Sequence, residues 1–243
     1  SKWSLGRFLQ DFNKFEIQDN KLSVIYQSSK KVKKNFDKKE NIISFVGKLN
    51  SAKGYDLFGS AIIKILDKYQ NWKAIVIGDE PREKHTFFHK NLKILGFKSH
   101  NFVLNYFNRV SISVVCSRWN EPFGRTSLES SSRGCALIIS NKGGLPETTN
   151  HALVLKKLTS DEILKKIEFL IKNTKKRKFL QKKNYNGFTL THKFITNLQD
   201  NIRSNILKTQ IFFINKINKK SKFKILHVTN FNERHDGRLH YNT

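Results

Sequence analysis

The 243-residue sequence contains no methionine, only two cysteines, and 19 acidic residues against 46 Lys and Arg. Each shortage excludes something. Cys116 and Cys135 sit at the ends of apolar runs, offer neither a disulfide framework nor metal-ligand spacing, and read as reduced core thiols. No stretch approaches the ~20 consecutive apolar residues of a membrane span, and the start lacks the shape of a signal peptide. With no methionine even an initiator is missing, so Ser1 reads as an internal position of a longer polypeptide. The cluster His235-Asp-Gly-Arg-Leu-His240 has the spacing of neither an i,i+4 helical pair nor a zinc finger, so no metal site is expected.

What is abundant is positive charge. The formal net charge is +27, and the mean hydropathy of −0.53 describes a very polar surface around a chain whose 38% hydrophobic content still suffices for a core. The lysines are scattered among many Asn and Ile, with clusters at Lys30–Lys39, Lys172–Lys183 and Lys216–Lys224. Such runs are most simply solvated helix faces or linkers, and next a contact with an anionic membrane surface. Nucleic acid ranks last, because interleaved aromatics, zinc spacing and RNA-binding signatures are lacking. The expected location is cytoplasmic, with a peripheral position at the inner face of the membrane as the second reading of the basic runs.

Short apolar runs alternate with helical periodicity through the middle of the chain. Leu22–Tyr26, Ile42–Val46, Ala74–Ile77, Leu92–Leu95, Ile112–Val115, Ala136–Ile139 and Leu153–Leu155 read as strands. Helices are expected over Gly54–Tyr69, His100–Asn108, Gly124–Gly134 and Ser160–Asn173, then Lys175–Tyr185 and Thr191–Lys208. Strand and helix in turn predict an α/β domain with a Rossmann-like parallel sheet of about six strands and helices on both faces. In such sheets ligands bind beyond the carboxyl ends of the strands. The organisation expected is a hand-over segment over 1–20, the Rossmann-like domain over 21–190, a C-terminal helix over 191–214 and a linker over 215–222. A fresh strand and loop would begin a further domain over 223–243.

The loops after Val46, Ile77, Val115 and Ile139 carry the informative residues. Glu121-Pro122-Phe123-Gly124 precedes a helix, Glu129 follows eight positions after Glu121, and Gly143-Gly144-Leu145-Pro146-Glu147 lies further on. A helix start offers unpaired N–H groups and the positive end of the helix dipole, which suit a phosphate. Gly124 has no Cβ to keep a ligand from that backbone. A carboxylate ahead of the helix can take hydroxyls at one end of a ligand, and one inside it a vicinal diol at the other. Diphosphate between two hydroxyl-bearing ends describes a nucleotide sugar.

These residues resemble the Glu-x7-Glu pattern of retaining, nucleotide-sugar-dependent glycosyltransferases of the GT-B fold, the glycogen synthase and sucrose synthase relatives. The likeness runs over about residues 22 to 200 in family order, through Gly47-Lys48-Leu49-Asn50, Lys53-Gly54, Gly78-Asp79, Glu121 to Glu129, Gly134 and Gly-Gly-x-Pro-Glu. It implies the C-terminal, donor-binding half of a GT-B fold. Lys48, where the family usually has Arg, and Lys53 would neutralise the diphosphate as the nucleotide departs. Glu121 would hold sugar hydroxyls near the anomeric carbon and Glu129 the ribose diol. Phe123 and Gly124 would lend amides to the sugar, and Thr126, Ser127 and Leu128 amides or hydroxyls to the phosphates. Gly143 and Gly144 would turn the chain beneath the nucleotide. Arg125 reads as an exposed cation, and Glu147 equally as a ligand contact or a helix-start charge. No cofactor or divalent metal is expected, in keeping with the absence of an Asp-x-Asp motif; the partners implied are the nucleotide-sugar donor and a glycan or lipid-linked acceptor. The same fold also hosts sugar-nucleotide epimerases and phosphorylases, and a non-catalytic basic module for membrane or nucleic acid is the rival from another class.

Overall fold

The computed structural model describes residues 1–11, 22–32, 39–83 and 86–216, which fall into two compact units, Ser1–Gln199 and Asp200–Thr243. The expected strand at 223–230, the basic cluster from residue 217 onward and the His235–His240 cluster lie outside the described residues. The strands are β1 (Glu40–Val46), β2 (Lys73–Ile77), β3 (Leu92–Ile94), β4 (Val110–Val115), β5 (Ala136–Ser140) and β6 (Ala152–Leu155). The helices are α1 (Lys2–Asp11), α2 (Tyr55–Lys68), α3 (His100–Phe107), α4 (Arg125–Ser132), α5 (Ser160–Lys172), α6 (Thr174–Asn186) and α7 (His192–Lys216). Every strand pairing is parallel, and the order is β3-β2-β1-β4-β5-β6. The order reverses between β1 and β4, so the chain leaves the sheet in opposite directions there and opens a crevice at the carboxyl ends.

Alternation along the strands divides the core. Ile43, Phe45, Ala74, Val76, Ile112, Val114 and Ile138 meet the apolar stripes of α2 and α5 on one face. Ile42, Ile75, Ile77 and Val110 meet Val103 and Phe107 of α3 on the other. The stripe of α2 buries Phe58, Ile62, Ile65 and Leu66 almost completely, at about 1.5–3 kcal/mol for each side chain. Truncating Ile62 to Ala would cost about 2–5 kcal/mol, because the packed face cannot collapse fully around the hole. The start of α5 is capped by Thr159, whose Oγ1 accepts from the Glu162 N–H at 3.2 Å, with Asp161 and Glu162 in the first turn.

Helix α4 is built differently. Its sequence Arg-Thr-Ser-Leu-Glu-Ser-Ser-Ser is poor in apolar residues, yet Ser127, Ser130, Ser131 and Ser132 are buried. The hydroxyls turn back on the backbone: Ser130 Oγ donates to Thr126 O at 2.8 Å and Ser132 Oγ to Glu129 O at 2.7 Å. Small, internally satisfied side chains let this helix lie close against the sheet, which brings its first turn to the crevice.

Six of the seven apolar runs are strands of the sheet; Leu22–Tyr26 is not. Its alternating exposure is that of an extended segment, but it forms no ladder. Instead Tyr26 packs with Phe123, Leu128, Phe188 and Leu190 in a cluster away from the main core. Both cysteines are free and buried, as expected, and burial pushes the Cys116 thiol up to about 12. In the second unit the described residues continue α7, with an exposed Arg203–Asp200 pair at 3.2 Å.

Candidate donor-binding site

The loop after β1 is shaped by Asn50, whose side chain accepts from the Lys53 N–H at 3.0 Å and closes a single 3-10 turn over Ser51–Lys53. Gly54 then adopts φ +75, and a Cβ there would stand 2.1 Å from Cys116 O. Only glycine lets this loop lie against the end of β4. Across that contact Lys53 Nζ meets Glu121 Oε1 at 2.5 Å, a pair whose side chains are 33% and 14% exposed. Thus the candidate phosphate cation and the candidate sugar carboxylate face each other at the point where the strand order reverses.

Glu121 is fixed from a second side. Its backbone makes a single parallel bridge with Gly143, and the Gly144 N–H donates to Glu121 O at 2.7 Å. Gly143 has φ +60, and a Cβ on it would lie 2.2 Å from Glu121 O. The two glycines therefore hold the carboxylate loop by close backbone contact. Lys48 is exposed on the lip of the β1 loop, where its charge acts on Glu80. Arg82, with Lys48 as a lesser influence, holds the Glu80 carboxyl at about 2.

At the start of α4, Gly124 caps the helix with φ +109, and the Leu128 N–H makes the first intrahelical bond, to Gly124 O at 3.1 Å. The N–H groups of Arg125, Thr126 and Ser127 precede that bond and have no partner inside the helix. This corrects part of the sequence reading. The Leu128 amide is committed to the helix and its side chain is buried. The Ser127 hydroxyl bonds Thr148 Oγ1 at 2.6 Å, and the Thr126 hydroxyl donates to Val46 O at 3.3 Å. The hydroxyls of Thr126 and Ser127 are thus engaged within the protein. The Phe123 ring is buried against Tyr26 at 5.1 Å between centroids.

Glu129 sits further along α4 with a side chain only 10% exposed. His100 Nε2 at the start of α3 donates to its Oε1 at 2.9 Å, and Arg125 approaches the same oxygen at 3.4 Å. Arg125 is exposed, as read, but it is not unpartnered. His100 is the residue sequence reasoning missed; its only signal was its place at a helix start after a strand end. Arg118 was missed too: it forks onto Asp56 at 2.6 and 2.7 Å and reaches Ser51 O at 2.5 Å, bracing the β1 loop from the β4 side. That guanidinium holds the Asp56 carboxyl below its ordinary range. Among the described residues no three His, Cys, Asp or Glu side chains gather as a metal-binding group.

A parallel sheet with a braced switch-point crevice, a glycine-capped helix start and a charge pair across it defines a Rossmann-like α/β domain. The comparisons agree. Residues 27–187, more than half of the chain, match the model of the family described as Glycosyl transferases group 1, and the chain belongs to that family. A 2-deoxystreptamine N-acetyl-D-glucosaminyltransferase of Niallia circulans is 28% identical over 116 residues, 45% of this chain and 30% of that protein. The chain thus spans about a third of the length of the curated relatives it matches. The C-terminal domain of a glycosyl transferase group 1 family protein (LpcC) of Francisella tularensis superposes with a TM-score of 0.53 at 27% identity, over 60% of this chain and 82% of that one. Anabaena Alr3699/HepE, solved in complex with UDP-glucose, shares the fold at a TM-score of 0.57 and 16% identity, over 70% of this chain and 49% of its own.

Proposed function

We propose that this chain is the donor-binding half of a retaining glycosyltransferase that takes a nucleotide diphosphate sugar and passes the sugar to a glycan or lipid-linked acceptor. The observation that carries the reading is the Lys53–Glu121 pair at 2.5 Å across the switch point, beside the open first turn of α4. On this reading the amides of α4 and Lys53 take the diphosphate, and their positive charge is worth most as negative charge grows on the leaving phosphate. Lys48 on the lip adds a second cation. Glu121 turns from Lys53 to the sugar hydroxyls, with the Phe123 and Gly124 amides beside it, while Glu129 holds the ribose diol. No divalent ion is required, since fixed cations and helix amides do its electrostatic work. Support for a nucleotide-sugar donor also comes from the UDP-glucose complex of the Anabaena fold relative. A thermal-shift screen of UDP-, GDP- and ADP-sugars, with and without chelator, tests this. At least one conjugate should stabilise the protein in chelator; a shift that appears only with Mg²⁺ sinks the metal-free part, and no shift from any of them sinks the whole. Product analysis with the binding conjugate separates transfer from epimerisation.

A second reading concerns location. Helix α6 has no acidic residue, and its exposed Phe179 lies under Lys176 and Lys183, 5.2 and 5.7 Å from the ring centroid. Lysines around an exposed aromatic suit an anionic bilayer surface, at about 1 kcal/mol per cation near it, and place the protein at the cytoplasmic face of a membrane. Flotation with vesicles of phosphatidylglycerol should carry the protein, and Lys176→Glu with Lys183→Glu should release it. Equal binding to mixed-sequence DNA, or equal flotation with phosphatidylcholine, overturns the assignment.

A further inference from the structure

The last residue of Gly-Gly-Leu-Pro-Glu does not face the crevice. Glu147 Oε2 accepts from the Lys2 N–H at 2.7 Å and from Tyr26 Oη at 2.8 Å, and its Oε1 from the Trp3 N–H at 2.8 Å. The Lys2 and Trp3 N–H groups belong to the first turn of α1, a helix with no acid of its own in that turn. A carboxylate 145 positions away in sequence therefore caps it.

The same helix start grips the neighbouring loop. Ser4 Oγ donates to Pro122 O at 3.0 Å, and Ser1 Oγ donates to the same carbonyl. Pro122 stands between Glu121 and Phe123, and Tyr26, held by Glu147, stacks on Phe123. Behind them the Glu147 N–H donates to Gly144 O at 3.0 Å, and Gly144 donates to Glu121 O. A closed ring of contacts thus runs from Glu147 through α1 and Tyr26 to Pro122 and Phe123, and back through Gly144. We infer that Glu147 is a positioning residue: by pinning α1 and Tyr26 onto Glu121-Pro122-Phe123-Gly124, it sets where the Glu121 carboxylate and the Phe123 amide stand. The inference rests on the proposed donor site and adds to it the element that fixes the sugar end. A carboxylate with its lone pairs already taken by three donors has little capacity left for a ligand, so Glu147 acts through the loop alone.

The consequence is selective. Loosening the loop should harm recognition of the sugar and spare that of the diphosphate, whose contacts come from α4 and Lys53. The test uses the full chain and whichever pair gives the larger thermal shift among UDP with UDP-glucose, GDP with GDP-mannose and ADP with ADP-glucose. Glu147→Gln keeps the shape but turns an amide N–H₂ toward donors, and should weaken the conjugate about tenfold while changing the free diphosphate less than about twofold. Ser4→Ala and Tyr26→Phe, which remove one hydroxyl each, should give the same selectivity at about two- to fivefold and carry the test if the Glu147 variant fails to fold. A purely structural role would lower the melting temperature and weaken both ligands equally, and that result overturns the inference. Glu121→Gln is the control. If it does not separate conjugate from diphosphate, or no pair binds, the donor-site reading itself fails and takes this inference with it. If Glu121→Gln separates them and the Glu147, Ser4 and Tyr26 variants do not, only the positioning role falls.

Discussion

Glu121 and Glu129 stand eight positions apart on either side of the α4 start, and the fold holds them by different means. Glu121 belongs to a loop pinned through its backbone by Gly143 and Gly144, while its carboxylate is matched by a lysine arriving from β1. Glu129 belongs to a helix, so its backbone needs no outside support, and its carboxylate meets His100 and Arg125 from around the helix start. A loop carboxylate depends on the contacts that hold its backbone; a helical one depends on how closely its helix can lie on the sheet. That difference gives the two ends of the site different weak points.

The largest effect should come from the backbone support of Glu121. Gly143→Ala places a Cβ 2.2 Å from Glu121 O at φ +60 and should destabilise the domain by about 3 kcal/mol or more. Gly96→Ala is the comparison, since Gly96 has φ +66 with nothing within 4 Å, and should cost only about 1–2 kcal/mol. Urea denaturation of both variants measures the gap; equal losses would mean that the close approach to Glu121 contributes nothing.

Next come the ligand groups. Glu129→Gln and Lys53→Ala should each weaken a nucleoside diphosphate by about 1.5–3 kcal/mol in calorimetric titration, through the diol and the phosphate respectively. Glu121→Gln should behave in the opposite sense toward the free diphosphate. It removes the carboxylate that competes for Lys53, a partly exposed pair worth at most about 1 kcal/mol, so affinity should hold or rise up to about fivefold. Toward the sugar conjugate the same variant should lose affinity, and more of turnover than of binding if its bonds tighten in the transition state. Weakening of the free diphosphate by Glu121→Gln as large as that by Glu129→Gln would reverse the assignment of ends.

The smallest effect is on pH. Burial alone would raise the Glu147 carboxyl, but the N–H groups of Trp3 and Lys2 and the Tyr26 hydroxyl outweigh it and hold the value below the ordinary range. Arg118 does the same for Asp56. Both groups are depressed in the folded state, so their contribution is complete above the ordinary carboxylate range and is lost as pH falls through it. Melting temperature should therefore be flat near neutrality and decline below about pH 4.5, with Glu147→Gln flattening part of that decline. An unchanged profile in Glu147→Gln would remove its share.

The amino-acid sequence alone determined a good deal. Short continuous apolar runs against period 3.6 placed six strands and their helices within a few residues, because a sheet covered on both faces demands those runs. Glycine at 54, 124 and 143 and the acids between them marked the crevice, since few residue types suit a backbone with positive φ beside a ligand. What the sequence did not disclose are relations between residues far apart along it. Leu22–Tyr26 has the pattern of a strand, yet in the fold it joins no sheet and Tyr26 packs on Phe123 instead. Nothing in the sequence marked the α4 serines as buried; in the fold Ser127, Ser130, Ser131 and Ser132 are, and Ser130 and Ser132 bond back onto their own helix. His100 on Glu129, Arg118 on Asp56 and Glu147 on the first turn of α1 each join residues that only folding brings together. Local chemistry decides which element a residue joins, whereas hydrogen-bond partners across 29 to 145 positions are set by packing, so the partners of the acids belong to the tertiary structure.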